Sequence, residues 1–192
     1  MSNINFTKNT PNAAKLIQSL RHLDYTNISA IADILDNSID AGASQIWVDI
    51  IPKKNREKDE REYESILISD NGTGMNWNIL DEAVKLGSQT EKNPTYDLGL
   101  YGMGLVTASI SIGKRLEVIT KTINGEIYKS VQDLQDIFEQ NDFVKLLEKG
   151  NEKDKAIFDK HIIEKQKLFP IQERESKPSG IRNSGTVVII KD

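Results

Sequence analysis

Two glycine-rich motifs constrain the fold of this chain more than any other feature of its sequence. The first, Asp-Asn-Gly-Thr-Gly-Met over 70–75, follows a predicted strand, so Asp70 stands at the carboxyl end of that strand. The second, Gly-Leu-Tyr-Gly-Met-Gly over 99–104, precedes an apolar helical stretch. Glycines at this spacing let the backbone turn sharply and approach a ligand closely. Each motif alone also fits an ordinary turn.

The chemistry of the two motifs suits different parts of one ligand. An ionised Asp70 only accepts hydrogen bonds, so it can take one from an exocyclic amine such as N6 of adenine. Backbone N–H groups in the second motif, at a helix N-terminus, form a concave site for phosphate. This motif is neither a Walker A loop, which needs Gly-Lys-Ser/Thr, nor a Rossmann loop placed after the first strand.

A third feature is the predicted helix over 28–41, which separates apolar from polar residues as an amphipathic helix does. The apolar positions that share one face are Ile28, Ile31, Ala32, Leu35 and Ile39. The polar positions that share the opposite face are Asp33, Asp36, Asn37 and Asp40. Like charges on one stripe repel, and a magnesium ion with oxygen ligands would relieve that repulsion. A solvated surface face is the alternative.

Predicted helices and strands alternate along the chain. Helices are predicted over 11–23, 28–41, 78–86 and from Gly104, and strands over 45–51, 65–69, 116–121 and 185–191. This order predicts an α/β sandwich of one sheet under a few helices. The segment at about 130–170 has helical periodicity and many charges, which predicts a helical insert before the last strand. A long loop is predicted over 87–101.

Composition excludes several classes of protein. The 192 residues suit one domain and carry a net charge of −4, which argues against a nucleic-acid clamp. No cysteine is present, so disulfides and thiolate metal sites are excluded. No apolar run approaches membrane-spanning length and no signal peptide opens the chain, so we expect a cytoplasmic protein without a membrane partner.

The motifs occur in one order: an Asn-bearing acidic helix, Asp-x-Gly-x-Gly, Gly-x-x-Gly-x-Gly, and Gly185-Thr186 before a final strand. In this order they resemble the Bergerat ATP-binding fold of the GHKL superfamily (gyrase, heat-shock chaperone, histidine kinase, MutL), closest to its MORC, MutL and heat-shock-chaperone branch. The resemblance covers about 12–121 and 180–192 but not the insert. It implies a two-layer α/β sandwich, whose mixed, mostly antiparallel sheet is covered on one face by helices.

The resemblance implies roles for individual residues, with ATP and Mg²⁺ as ligands. Asn37 would complete the magnesium shell beside Asp36, and Asp70 would bind the adenine amine, supported by Thr186. Gly74 and Met75 would line the base pocket. The phosphates would lie against the turn formed by Gly99, Gly102, Met103, Gly104 and Leu105. The segment 87–99 would be the ATP lid.

Hydrolysis in the family uses a Glu four residues before the Asn, where this chain has Asp33. The shorter carboxylate predicts slow turnover, and a non-hydrolysing nucleotide switch remains the alternative. Val106 stands where MORC proteins usually carry Lys, so phosphate binding would depend more on the backbone. A histidine-kinase-type phosphotransferase is less favoured, because neither His22 nor His161 lies in a preceding helical hairpin.

Relatives of this kind act as ATP-dependent homodimers whose ATPase domain drives a following domain. The last predicted strand ends beside Asp192, and in related ATPases this strand runs into another domain. We therefore expect residues 1–192 to be a single N-terminal ATP-binding domain, with a transducer or effector domain beyond it. Any contact with DNA would be made through such domains.

Overall fold

The computed structural model describes residues 7, 11–21, 26–53, 63–86, 104–170 and 180–192. The helices are α1 (Ala13–Arg21), α2 (Asn27–Asp40), α3 (Trp77–Ala83), α4 (Gly104–Ile112), α5 (Leu134–Gln140), α6 (Glu152–Phe158) and α7 (Glu164–Leu168). A π-helical turn, Asp159–Ile163, joins α6 to α7, and we call the continuous segment 152–168 the insert helix. The strands are β1 (Ile46–Pro52), β2 (Tyr63–Asp70), β3 (Arg115–Lys121), β4 (Ile127–Asp133), β5 (Leu146–Lys149) and β6 (Gly185–Lys191). Within the described ranges no helix is both long and apolar enough to cross a bilayer.

The six strands form one sheet in the order β1-β2-β6-β3-β4-β5. Every pairing between the described strands is antiparallel. Because β6 lies between β2 and β3, Asp70 at the end of β2 is directly opposite Thr186, and Thr186 is directly opposite Thr120. This register brings three segments that are distant in sequence to one end of the sheet.

Both faces of the sheet pack against helices. Side chains alternate between the faces of a strand, so Ile66 and Ile68 of β2 face the core that contains α1, α2, α4 and α5. We call this the first face. On the second face, Leu67 packs in a cluster with Phe158 and Ile162 of the insert helix. The predicted α/β sandwich is confirmed, and the insert helix adds cover on its second face.

Helix α2 turns a different side to the core than its apolar pattern indicates. Its buried residues are Ala30, Ile34 and Ser38. Ile28 is 82% exposed and Ile39 is 54% exposed. With 3.6 residues per turn, Asp33 and Asn37 border the buried stripe instead of lying opposite the packed face. The predicted apolar face is only partly right, since Ile31 and Leu35 pack against the core whereas Ile28 and Ile39 do not. Small residues allow α2 to pack against α4, and the hydroxyl of Ser38 finds a buried partner.

The predicted insert is helical over Leu134–Gln140 and 152–168, as expected. Two parts of it are strands instead: the end of β4, and all of β5 at the edge of the described sheet. The hydrophobic pattern does not predict β4, because two of its buried positions are the polar residues Ser130 and Gln132. The four residues of β5 are too few for a periodicity to appear.

Buried ion pairs join the sheet to the insert helix. Glu117 of β3 is 6% exposed and accepts hydrogen bonds from Arg115 Nε at 2.8 Å and Lys191 Nζ at 2.6 Å. Burial raises the pKa of Glu117, but these two cations outweigh it and hold the pKa below its ordinary value. Lys129 Nζ lies 3.9 Å from Glu117 Oε2 and 2.9 Å from Asp154 Oδ1 at the start of the insert helix.

Candidate functional site

Asp70 is a buried carboxylate at the end of β2, and it is 4% exposed. The backbone N–H of Gly72 donates to its Oδ1 at 2.8 Å, and the hydroxyl of Ser38 on α2 donates to its Oδ2 at 3.2 Å. These two bonds fix the plane of the carboxylate from the turn and from the helix. Because the two carboxylate oxygens together offer about four acceptor sites, the carboxylate can still accept a further hydrogen bond.

Burial raises the pKa of Asp70 from 3.8 to about 6. Hydrogen bonds from the backbone of Gly72, the hydroxyl of Ser38 and the backbone of Thr186 act in the opposite direction, and they keep the shift from being larger. Asp70 is therefore mostly ionised at neutral pH. A buried anion that costs folding energy and forms no ion pair among the described contacts is typical of a group kept for binding or catalysis.

The turn after Asp70 and the start of β6 beside it each require a glycine. Gly74 has a φ of +66°, and a Cβ there would lie 2.0 Å from the carbonyl oxygen of Lys121. Gly185 has a φ of +146°, and a Cβ there would lie 2.0 Å from the carbonyl oxygen of Asp70. Only a backbone without side chains packs this closely, so the turn after Asp70 lies directly against the strand ends that flank it.

Thr120 connects the remaining residues at this end of the sheet. Its hydroxyl accepts from the backbone N–H of Met75 at 2.9 Å, donates to the carbonyl of Gly185 at 3.0 Å and lies 3.0 Å from the hydroxyl of Thr186. Thr186 therefore pairs with Asp70 through the strand register, while its side chain contacts Thr120. Met75 packs against the core of the first face.

The predicted magnesium and base residues lie on α2, and two of them, Asp33 and Asn37, each directly precede a buried residue of that helix. Asn37 Nδ2 donates to the carbonyl of Asp33 at 2.9 Å, which directs the amide nitrogen back along the helix. Asp33, Asp36 and Asn37 are all partly buried. Ser38, the residue after Asn37, bonds to Asp70. The helix thus carries Asn37 and Asp33 next to the residue that contacts Asp70.

The predicted phosphate turn is described only in part. Gly104 and Leu105 begin α4, and a Cβ on Gly104 would meet no described atom within 4 Å. Val106 is fully buried, so its side chain belongs to the core. Gly99, Gly102, Met103 and the predicted lid over 87–99 lie outside the described residues.

Sequence reasoning missed two residues of this site, Ser38 and Thr120. Ser38 stands inside a helix between polar residues, and only the tertiary structure shows that its hydroxyl meets Asp70. Thr120 ends an apolar strand, and its register opposite Thr186 gives it its partners. A polar residue at the end of an apolar strand, near a predicted ligand turn, is a signal that would have found Thr120.

A cavity of about 810 Å³ lies elsewhere, and Leu16, Leu86, Gln132 and Val144 are among the residues that line it. Among the predicted site residues that the structure describes, none lines this cavity.

The antiparallel sheet, the helix layer and a buried carboxylate held over a glycine-rich turn define an α/β sandwich with a ligand site at one end of its sheet. The chain belongs to the family of histidine kinase-, DNA gyrase B-, and HSP90-like ATPases, whose model matches residues 25–167. The matched region is an ATPase domain of this family, which supports ATP and ADP as its nucleotides.

Relatives from plants, animals and bacteria support the same branch. The chain is 32% identical over 103 residues to Protein MICRORCHIDIA 5 of Arabidopsis thaliana, covering 51% of this chain and 14% of the relative. It is 32% identical over 120 residues to ATPase MORC2B of Mus musculus, and the match covers 60% of this chain and 11% of that protein. It is 28% identical over 103 residues to the DNA mismatch repair protein MutL of Nostoc punctiforme, and the match covers 52% of this chain and 16% of that protein. The chain spans less than a fifth of the length of each of these relatives.

Proposed function

We propose that this domain binds Mg²⁺-ATP through Asp70 and the α2 polar residues, and that it hydrolyses ATP slowly. The observation that carries the proposal is the buried carboxylate of Asp70, which Ser38 and Gly72 hold with acceptor capacity to spare. The exocyclic amine of adenine can donate a hydrogen bond to such a carboxylate. Gly74, Met75 and Thr186 surround the same turn and would line the base pocket.

The residues present fit a magnesium ion held partly by the nucleotide. Asn37 would bind it through Oδ1, because Nδ2 already donates to the carbonyl of Asp33, and Asp36 would lie nearby. The described part of the chain has no cluster of three or more acidic or histidine side chains that would hold a metal ion by itself. Magnesium commonly takes its other oxygens from phosphates and water, and when bound it would neutralise phosphate charge. Gly99, Gly102, Met103, Gly104 and Leu105 would supply backbone contacts to the phosphates.

Asp33 would act as the general base of hydrolysis. Its carboxylate would take a proton from water as the water oxygen attacks the γ phosphorus, and the bond to the leaving ADP oxygen would break. One methylene fewer than Glu displaces the carboxylate, and such a misplacement can lower the rate by about two orders of magnitude. The partly buried position of Asp33 beside Asn37 supports this role.

At the level of the whole protein, ATP binding would close a lid over 87–99 and bring two copies together as a homodimer. Release after hydrolysis would reopen the dimer and drive a downstream domain in DNA or protein remodelling. The support comes from relatives: one is named a DNA mismatch repair protein, and others are named ATPases.

A second candidate is a nucleotide switch that binds ATP without hydrolysing it, and the replacement of Glu by Asp33 is the observation that favours it. A phosphotransferase is less favoured. His161 lies in the π-helical turn of the insert helix, its side chain is 13% exposed, and its Nδ1 is 3.4 Å from Asp49 Oδ2. His22 lies outside the described residues.

Calorimetric titration with ATP and Mg²⁺ tests the binding proposal. We expect saturable binding to the wild-type chain, loss of binding in Asp70→Ala, and wild-type binding in Asp136→Ala, which removes an exposed acid of α5. Phosphate release then separates the two candidates. Loss of release in Asp33→Asn, with binding retained, supports hydrolysis through Asp33. Release at the wild-type rate in Asp33→Asn would show that Asp33 is not the base, and a wild-type protein that binds without release would be the switch.

A further inference from the structure

The insert helix reaches the turn after Asp70 through one buried side chain, Gln166. Gln166 is 4% exposed, and its Oε1 accepts from Asn71 Nδ2 at 3.1 Å and from the backbone N–H of Arg182 at 2.9 Å. Its Nε2 donates to the carbonyl of Arg182 at 2.9 Å. A single amide of the insert therefore joins the residue next to Asp70 to the segment that leads into β6.

Asn71 is the other half of this connection, and it is 2% exposed. Its side chain contacts Gln166 of the insert helix, whereas the side chain of Asp70 contacts Ser38 of α2. Its Oδ1 accepts from the backbone N–H groups of Ser44 and Gln45, each at 2.9 Å. Gln166 thus closes a chain of buried hydrogen bonds that runs from the start of β1 through Asn71 to the insert helix.

The segment held by Gln166 also contacts the turn directly. Arg182 Nη1 donates to the carbonyl of Gly42 at 2.9 Å, and the hydroxyl of Ser184 donates to the carbonyl of Gly72 at 2.7 Å. Both flanks of Asp70, the turn over 70–74 and the segment over 182–186, therefore depend on the same buried amide. Buried polar groups without their partners are costly, so loss of Gln166 would release both segments.

We infer that Gln166 is a positioning residue for nucleotide recognition, and that the insert helix uses it to hold the carboxylate of Asp70 in register with the adenine amine. This inference rests on the proposed function. Gln166 lies on the far side of the turn and does not touch the nucleotide. Its effect is on base selection: guanine carries an acceptor oxygen where adenine carries its amine, and an accurately placed carboxylate rejects that oxygen.

The test is the ratio of the dissociation constants for GTP and ATP, measured by titration on the 192-residue chain with Mg²⁺. Gln166→Met keeps the volume but removes every hydrogen bond, and we expect ATP affinity to fall about tenfold as the bound arrangement of the turn becomes less populated. GTP affinity should change little, so the ratio falls by a similar factor. Gln166→Glu keeps an acceptor for Asn71 but sets a carboxylate oxygen against the carbonyl of Arg182, so it too should lower the ratio. Lys167→Ala, an exposed change on the same helix, is the control.

Amide hydrogen exchange on the nucleotide-free proteins gives a second readout. In Gln166→Met, exchange should rise at 70–74 and 182–186 and stay at the wild-type rate in the core of β3. A wild-type GTP-to-ATP ratio in Gln166→Met, or an equal loss in the exposed control Lys167→Ala, would overturn the inference. If the wild-type chain binds neither nucleotide, the proposed function fails, and unchanged exchange in Gln166→Met would refute the role of Gln166 independently.

Discussion

Replacement of Asp70 by Asn should stabilise the nucleotide-free domain at neutral pH while it abolishes ATP binding. The Asn side chain can keep both observed contacts, because its oxygen accepts from the backbone N–H of Gly72 and its amide nitrogen can donate to the hydroxyl of Ser38. The buried negative charge disappears. In the proposed complex, however, the new amide donor would face the amine donor of adenine, and binding would be lost.

The magnitude follows from the pKa of Asp70, which burial raises from 3.8 to about 6. Below about pH 3 the group is protonated in both the folded and the unfolded chain, so its ionisation does not change the free energy of unfolding there. Between these two values the unfolded chain ionises first, and the wild-type protein loses stability as pH rises. At 1.36 kcal/mol per pKa unit the loss is about 3 kcal/mol, and it is complete above about pH 6 to 7.

Urea denaturation of wild type and Asp70→Asn at several pH values between 4 and 8 measures this effect. Contributions from other titrating groups cancel in the difference between the two free energies of unfolding. We expect that difference to grow by about 2 kcal/mol in favour of the variant from pH 4 to pH 7, because part of the full effect is already present at pH 4. Parallel curves for the two proteins would mean that Asp70 is not a buried charge in the folded state, and the reasoning about its role would fail with it.

Three further changes test the surroundings of this carboxylate. Gly74→Ala forces a side chain onto a positive φ and against the carbonyl of Lys121, so it should lower the free energy of unfolding by about 1–3 kcal/mol in urea denaturation. Thr120→Val removes the hydroxyl that accepts from the N–H of Met75, and should cost about 1–3 kcal/mol and weaken ATP binding, whereas Thr120→Ser should retain both. Because its cationic partners lower the pKa of Glu117, the stability it supplies is lost as pH falls through its folded pKa. Thermal melts of Glu117→Gln should therefore show a lower melting temperature at pH 7 and a weaker acid dependence than wild type.

The sequence alone predicts where the carboxylate lies in the chain better than it predicts which residues surround the carboxylate in the fold. Asp70, Gly74 and the start of α4 at Gly104 follow from short motifs, because each depends on local backbone geometry that glycines determine. The burial of Asp70 and its partner Ser38 depend on how α2 lies against the sheet. The hydrophobic pattern of α2 predicts the orientation of this helix only partly, because Ile28 belongs to the predicted apolar face but is exposed.

The second face of the sheet shows a similar limit. Consecutive apolar residues over 66–68 and 187–190 are typical of strands buried on both sides, and the structure has that arrangement. The sequence does not say what covers the second face. Gln166 looks like an ordinary helix residue among charged neighbours, and only the fold shows that it reaches Asn71.

The place of β6 has a consequence for how the chain reaches its native state. This strand is the last described element in sequence, yet it lies in the interior of the sheet, between β2 and β3. Until it pairs, β2 and β3 each expose an unpaired edge, and the contacts that close the gap join residues far apart in the chain. Such non-local pairing slows folding, and open strand edges favour association with other chains. The end of the sheet that holds Asp70 needs Gly185 and Thr186, so it is complete only when β6 has paired with both of its neighbours.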